Sequence, residues 1–300
     1  MTALPPPVGV AVPPPQPARP RADRRAHRLT PGRVGLYAVL VLAAAVQFAP
    51  LYWLVISTLK TPQEFGSIPP TWFPQQATLD AYATVFTDVP FGRSILNSVL
   101  ITGVCSLSVL VTSTMAGYVF AKYRFAGRDA IFWAVIATMF LPPIITLVPL
   151  YHLVSSMGLS DSYAGVMLPW LVNAFGIFLM RQFIADVPDE LIDAARIDGA
   201  SEPRILVRVV APLLRPAVVT LLVFTVVYYW NNFLWPLSIL QSEAKYPVVL
   251  TLSRLLSYTM SVGYQNVVMA GALVASLPTL VVFLLAQRVF VQGIARTGVK

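Results

Sequence analysis

The chain has 300 residues, 57% of them apolar or aromatic and only 11% charged, with a mean hydropathy of +0.71 and a net charge of +8. Soluble domains carry about 45–50% apolar and ~25% charged residues, so these few charges cannot coat a globule of this size and lipid must be its solvent. That excludes a soluble enzyme, a disordered chain and a disulfide-stapled secreted domain; with Cys105 as the single cysteine there is also no intrachain disulfide or cysteine-based metal site.

Residues 1–33 stand apart. Proline runs such as Pro5-Pro6-Pro7 and Pro13-Pro14-Pro15, followed by Arg19, Arg21, Arg24, Arg25, Arg28 and Arg33, predict a disordered, solvated tail. A signal peptide is not expected, because its charged region does not run this far before the apolar stretch. Residues 34–300 form the membrane domain. Six apolar stretches follow, at Val34–Thr58, Ile95–Phe120, Ala130–Leu150, Tyr163–Phe183, Pro212–Leu240 and Tyr264–Gln287. Each is near the ~20 residues that cross about 30 Å of hydrocarbon. Their central stretches carry no Asp, Glu, Lys or Arg, and backbone groups in lipid must be paired within the segment, so each is expected to be a helix. Pro142-Pro143 and Pro149 predict kinks or broken turns. The fold class is therefore an all-α membrane protein with six transmembrane helices.

Charge sorting sets the orientation. With the N-terminus inside, the inner segments hold the six tail arginines, Lys122, Arg124, Arg128, Arg181, Arg196, Arg204, Arg208, Arg215, Arg288, Arg296 and Lys300, leaving only Lys60, Arg93, Lys245 and Arg254 outside. Both termini are expected in the cytoplasm of a cell-membrane protein. The basic excess is a membrane-side signal, so no nucleic-acid partner is expected.

One inner loop, residues 185–211, concentrates acids: Asp186, Asp189, Glu190, Asp193, Asp198 and Glu202. Asp189 and Glu190 after Pro188 suit a helix start, where carboxylates face the positive end of the dipole. Leu191, Ala194, Ala195 and Ile197 supply small and apolar positions, and Gly199 suits a left-handed stop. A short helix exposing Ala194 and Ala195 among carboxylates is a docking surface; a solvated interfacial loop is the plainer reading of the same residues.

The loop resembles the EAA coupling loop of ABC importer permeases. Asp193-Ala194-Ala195, Asp198-Gly199-Ala200 and Pro212-Leu213-Leu214-Arg215-Pro216 carry the resemblance. Asp193 replaces the usual first glutamate, and Leu206 and Ala211 stand where larger residues are common. Further segments are similar to the smaller permease of maltose-type importers, in the carbohydrate branch: Asn97-Ser98, Arg124-Phe125-Ala126-Gly127-Arg128, Pro149-Leu150-Tyr151 before Gly158-Leu159, Trp230-Asn231-Asn232-Phe233-Leu234-Trp235-Pro236, and Gln287-Arg288 through Gly293 to Gly298-Val299-Lys300. The resemblance implies an importer-permease core and a transport subunit rather than an enzyme. It implies ATPase coupling through Glu190, Asp193, Ala194, Ala195, Asp198, Gly199 and Ala200. The implied partners are a second permease, two ATPase subunits holding ATP and Mg, and an extracytoplasmic sugar-binding protein, with no cofactor on this chain.

The residues agree with that division of labour. No Gly-rich phosphate loop is present, and His27 and His152 are isolated. A stand-alone secondary transporter usually keeps an ionisable residue inside the bundle, and these stretches show none. Asn231 and Asn232 lie between Trp230 and Trp235 in the fifth stretch, and Asn173 in the fourth. Amides cost energy in lipid unless paired, and sugars take amides and aromatic faces, so Asn173, Trp230, Asn231 and Asn232 are candidates for a solute path. The alternative is pairing between helices. On a continuous helix Asn231 and Asn232 diverge by about 100°, so only one is expected to face a path. Tyr118, Tyr228 and Tyr229 are expected simply to pack.

Overall fold

A computed structural model of the chain describes residues 31–259 and 264–297, with side chains described through Gln287 in the last helix. The expected tail, apart from its last three residues, and the end of the C-terminal motif lie outside the described residues. The described residues are helical throughout their regular structure. Residues up to Pro50 form one unit and Leu51–Lys300 the other.

Helix α1 (Pro31–Thr58) begins with Pro31 and carries Pro50 internally. In the first unit its residues from Val34 to Val46 are exposed and apolar on all sides, as befits a helix whose surroundings are hydrocarbon. In the second unit, α2 (Pro62–Phe65) and α3 (Asp80–Thr87) fold the segment after α1. There Lys60 is buried, with its Nζ donating to the Thr71 carbonyl at 2.5 Å and sitting 4.4 Å from the Trp53 ring centroid. The Pro69–Pro74 segment that Lys60 secures presents Trp72 and Phe73 outward.

Helix α4 (Phe91–Lys122) is the central post, about 48 Å long at 1.5 Å per residue and so longer than the hydrocarbon. One face lines up small residues, Ser98, Thr102, Cys105, Ser106, Ser113 and Gly117, all buried. Lipid tails are as apolar as leucine, so helices associate in membranes through close van der Waals approach, which small residues permit. A Cβ on Gly117 would meet the Arg181 nitrogen and Met180 Cβ at 2.9 Å. Against this face pack α8 (Ala174–Ala185) and α12 (Arg215–Trp230), and α12 in turn meets α15 (Gln265–Thr297). The opposite face of α4 exposes Leu96, Leu107, Val111 and Met115.

Among the described residues three helices, α1, α4 and α15, are long and apolar enough to cross a membrane alone; three further pairs qualify only when two bent arms are joined. The third stretch breaks at the prolines expected to kink it, and the fourth and fifth, expected as single helices, are bent pairs as well. In the third stretch α5 (Arg128–Ala137) and its 3-10 extension meet α6 (Pro143–Ser156) at 103°. Pro142 and Pro143 force the break: each lacks an N–H, and the residue before a proline is pushed out of the helical region, as Leu141 is at ψ 117°. In the fourth, α7 (Tyr163–Met167) with its 3-10 turn meets α8 at 41°. The fifth is interrupted twice. A chain of α10 (Glu202–Ile205), a π turn at Leu206–Val210 and α11 (Ala211–Leu213) meets α12 at 86°, and α12 stops at Trp230 before α13 (Leu234–Ile239). The π turn precedes Pro212, whose missing N–H leaves an upstream carbonyl without its usual donor. The segment between the fifth and sixth stretches, read from sequence as loop, contains the apolar helix α14 (Val248–Thr259), packed on α4 and α15.

Candidate functional site

The acidic loop folds as expected at both ends of α9 (Asp189–Ile197). Pro188 stands at the N-cap, and Asp189 and Glu190 occupy the first turn. At the other end the Ala200 N–H bonds the Ala195 carbonyl and the Gly199 N–H the Arg196 carbonyl, both at 3.0 Å. That is the paired closure of a Schellman stop, and Gly199 supplies its left-handed residue at φ 78°.

What sequence reading missed is how the loop is fastened. Tyr118 and Lys122 lie four residues apart, hence on one face of the last turns of α4. Lys122 Nζ reaches Asp189 Oδ1 at 2.6 Å and the Val187 carbonyl at 2.5 Å, gripping the start of α9. This ammonium holds the Asp189 carboxyl below its ordinary pKa. The Tyr118 hydroxyl donates to Glu202 Oε2 at 2.9 Å, gripping the segment beyond Gly199. Arg196 then bridges the two, with Nε 2.7 Å from Glu202 Oε1 and Nη1 3.0 Å from Asp193 Oδ1. Tyr118 is thus more than packing. Partners 67 and 84 residues apart leave no local periodicity, and only the i, i+4 spacing of two polar residues at the end of an apolar helix hinted at them.

With α9 held from behind, Glu190, Leu191, Asp193, Ala194, Ile197, Asp198 and Gly199 face outward, and Ile197 is 87% exposed. Ala195 and Ala200 are half-buried and pack toward the core, so the expectation that both Ala194 and Ala195 are presented is corrected: residues one apart diverge by about 100° on a helix.

The candidate path residues separate. Trp230 is buried, and its indole N–H donates to the Ala275 carbonyl at 2.9 Å; it fixes α12 to α15 and does not border the cavity at the end of α12. Asn173 is not mid-helix but the N-cap of α8, where its side-chain oxygen accepts the Gly176 N–H at 3.0 Å. Asn231 and Asn232 lie past the end of α12, so the argument from a continuous helix does not apply to them, and both border one cavity. Asn231 turns its amide back to the Val227 carbonyl at 2.8 Å, closing the helix end. The cavity, about 490 Å3, is also bordered by Trp170, Tyr228, Phe233 and Trp235.

Away from the acidic loop, Asp161 ties the α6–α7 turn to the residues preceding α14. Its carboxylate accepts the Gln241 N–H at 3.0 Å, the Ser242 N–H at 2.9 Å and the Ser242 hydroxyl at 2.5 Å, and Lys245 Nζ lies 2.9 Å away. The Ser242 hydrogen bonds, ahead of the Lys245 charge, hold this carboxyl far below its ordinary pKa. Among the described residues no cluster of three His, Cys, Asp or Glu side chains could hold a metal ion.

Broken membrane helices around a cavity, with an amphipathic helix fastened at one end of the central post, define a membrane transport subunit. Residues 111–296 match the family described as "Binding-protein-dependent transport system inner membrane component", and the chain belongs to that family, the permease subunits of ABC importers. It is 36% identical over 258 residues to the lactose transport system permease protein LacG of Rhizobium radiobacter, covering 86% of this chain and 93% of that one. It is 32% identical to the arabinooligosaccharides transport system permease protein AraQ of Bacillus subtilis, over 89% and 96% of the two chains. The sn-glycerol-3-phosphate transport system permease protein UgpE of Escherichia coli is also 32% identical, over 86% and 94%. Among solved structures, a bacterial ABC transporter involved in the import of the acidic polysaccharide alginate has a chain of similar fold, with a TM-score of 0.77 at 22% identity over 85% of this chain and 95% of that one.

Proposed function

We propose that this chain is the smaller permease of a sugar importer, spanning the membrane six times with both termini in the cytoplasm, and that α9 docks into ATPase subunits. The observation that carries the reading is the outward face of α9, small and apolar at Ala194, Leu191 and Ile197, rimmed by Asp193 and Asp198, and fastened at both ends to α4 through Lys122 and Tyr118. A lever must be rigidly attached to what it moves, and these bonds attach it to the post on which α8 and α12 pack. The charge distribution supports the orientation: seventeen of the 21 Lys and Arg residues lie in segments on the side of this loop. ATP and Mg belong to the partner ATPases, and a second permease and an extracytoplasmic binding protein complete the importer. The lactose and arabinooligosaccharide permeases among the relatives support a sugar as the solute.

Cross-linking tests the docking. Cys105, the single native cysteine, is buried, so Ala194→Cys introduces an exposed thiol at the centre of the face. In membranes holding the assembled importer, a short amine–thiol cross-linker should join this variant to an ATPase subunit. An assembled complex in which Ala194→Cys yields no such adduct, while Trp72→Cys does, would refute the assignment.

A further inference from the structure

The apolar part of α1, Val34–Thr58, has 25 residues and spans about 37 Å, against ~30 Å of hydrocarbon. Centred in the bilayer, it passes the boundary by only about 3–4 Å at each end. Tyr52 and Trp53 stand about 8–9 Å before Thr58 and therefore just inside that boundary. The chain leaves α1, turns through α2 and returns to this same level. The Trp72 ring lies edge-on to Trp53 at 6.0 Å, Phe73 lies edge-on to Tyr52 at 6.3 Å, and the Tyr52 hydroxyl donates to the Trp72 carbonyl at 2.7 Å.

The returning segment is built for a place with little water. From Phe65 to Leu79 it carries no charged residue. Irregular backbone withdrawn from bulk water has to find its hydrogen bonds within the protein, and here side chains supply them. Lys60 Nζ donates to the Thr71 carbonyl, Tyr52 to the next carbonyl, and Glu64 Oε1 accepts the Gln75 N–H at 2.9 Å and the Thr71 hydroxyl at 2.8 Å. What remains unpartnered is apolar. Ile68 is 95% exposed, Trp72 and Phe73 are exposed beside it, and the contact of Phe73 with the exposed Tyr52 joins this surface to the side of α1.

We propose that Ile68, Trp72 and Phe73 insert into the bilayer interface, between the headgroups and the first acyl carbons, and hold the end of α1 at a fixed depth. The orientation proposed above makes this the outer leaflet; the anchoring depends neither on the solute nor on the ATPases. Aromatic rings collect at this level because their flat apolar bodies leave water while their polar edges stay near the headgroups. A soluble protein approaching from the aqueous side meets the loop from above, whereas Trp72 and Phe73 lie beside a membrane helix, level with Tyr52 and below the helix end. The side chains enter and the backbone, already satisfied, stays at the boundary.

The test is spin-label accessibility in the assembled importer, reconstituted in phosphatidylcholine vesicles without its extracytoplasmic binding protein. Phe73→Cys and, as an aqueous reference, the exposed Asp88→Cys are labelled separately; Cys105 is buried, and the unsubstituted importer labelled in parallel gives the background of the partner subunits. Oxygen concentrates among acyl chains and a nickel chelate in water, so the oxygen-to-nickel collision ratio at position 73 should exceed that at position 88 by about threefold or more. Ile68→Cys gives the same reading if the Phe73 variant does not assemble. A ratio at position 73 equal to that at position 88 overturns the proposal. So do low collision rates with both reagents, which mean that protein covers the surface. Nickel access that disappears only when the binding protein is added assigns the surface to that partner and overturns it as well.

Discussion

Replacing Tyr118 by Phe isolates one fastening of the loop. The ring remains, 5.8 Å from Tyr123 in an edge-on contact, while the hydroxyl that donates to Glu202 at 2.9 Å is lost. A hydrogen bond to a charged group contributes about 1.5–3 kcal/mol. The Glu202 side chain is 39% exposed and keeps Arg196, so water and the guanidinium take up part of the loss, leaving about 1 kcal/mol. That is roughly a fivefold shift between fastened and released loop. In vesicles holding the whole importer, ATP hydrolysed per sugar imported should rise about two- to fivefold while the amount of complex is unchanged. Glu202→Gln should act through the same bond, so the double variant should fall short of the sum of the two by about 0.5 kcal/mol or more. An unchanged ratio in Tyr118→Phe, or strict additivity with Glu202→Gln, refutes the fastening.

At Gly199 a Cβ would meet nothing within 4 Å, so the penalty of Gly199→Val comes from φ 78° alone, about 1–2 kcal/mol or more for a β-branched residue; uptake should fall sharply with normal membrane levels, and Gly199→Asn, which tolerates this region, should retain most of it. Gly117→Ala drives a Cβ to 2.9 Å from the α8 backbone and should cost about 1–3 kcal/mol, read as reduced yield and thermal stability of the complex, whereas Gly176→Ala mainly meets the Ser113 hydroxyl, which can rotate, and should be milder. Asp161→Asn should lower the thermal stability of the complex at pH 7. Because the folded-state pKa of Asp161 is depressed, its stabilisation is present above the unfolded value near 4 and is lost as pH falls below it; the gap between wild type and Asp161→Asn should stay flat from pH 8 to 5 and narrow only in stronger acid.

Much of this is legible in the sequence because it is local. Pro188, the acids after it and Gly199 mark both ends of α9, and unbroken apolar runs mark α1, α4 and α15. Hydropathy sums over a window and cannot register a 103° or an 86° turn inside it; Pro142-Pro143 signals the first, while the second depends on how α10 and α11 pack back on the loop. The asparagine pair stands out for its cost in lipid, but a helical reading of its geometry fails because α12 ends just before it. An indole suits a sugar face and a helix interface equally, and the carbonyl that Trp230 meets belongs to Ala275, 45 residues away, beyond any local pattern. Tyr118 and Lys122 escape notice for the same reason of distance.

The bent stretches also bear on how the chain is made. Their principal arms, α6, α8 and α12, have 14, 12 and 16 residues, below the roughly 17–25 that partition into a bilayer as a single helix. Each arm has to be accepted with its partner already at hand, and α4, complete and threaded earlier in synthesis, offers the small-residue face on which α8 and α12 settle. The central post is therefore also a template during biogenesis: a substitution that thickens its small-residue face would leave later segments stranded at the translocon before any assembled importer exists to be measured.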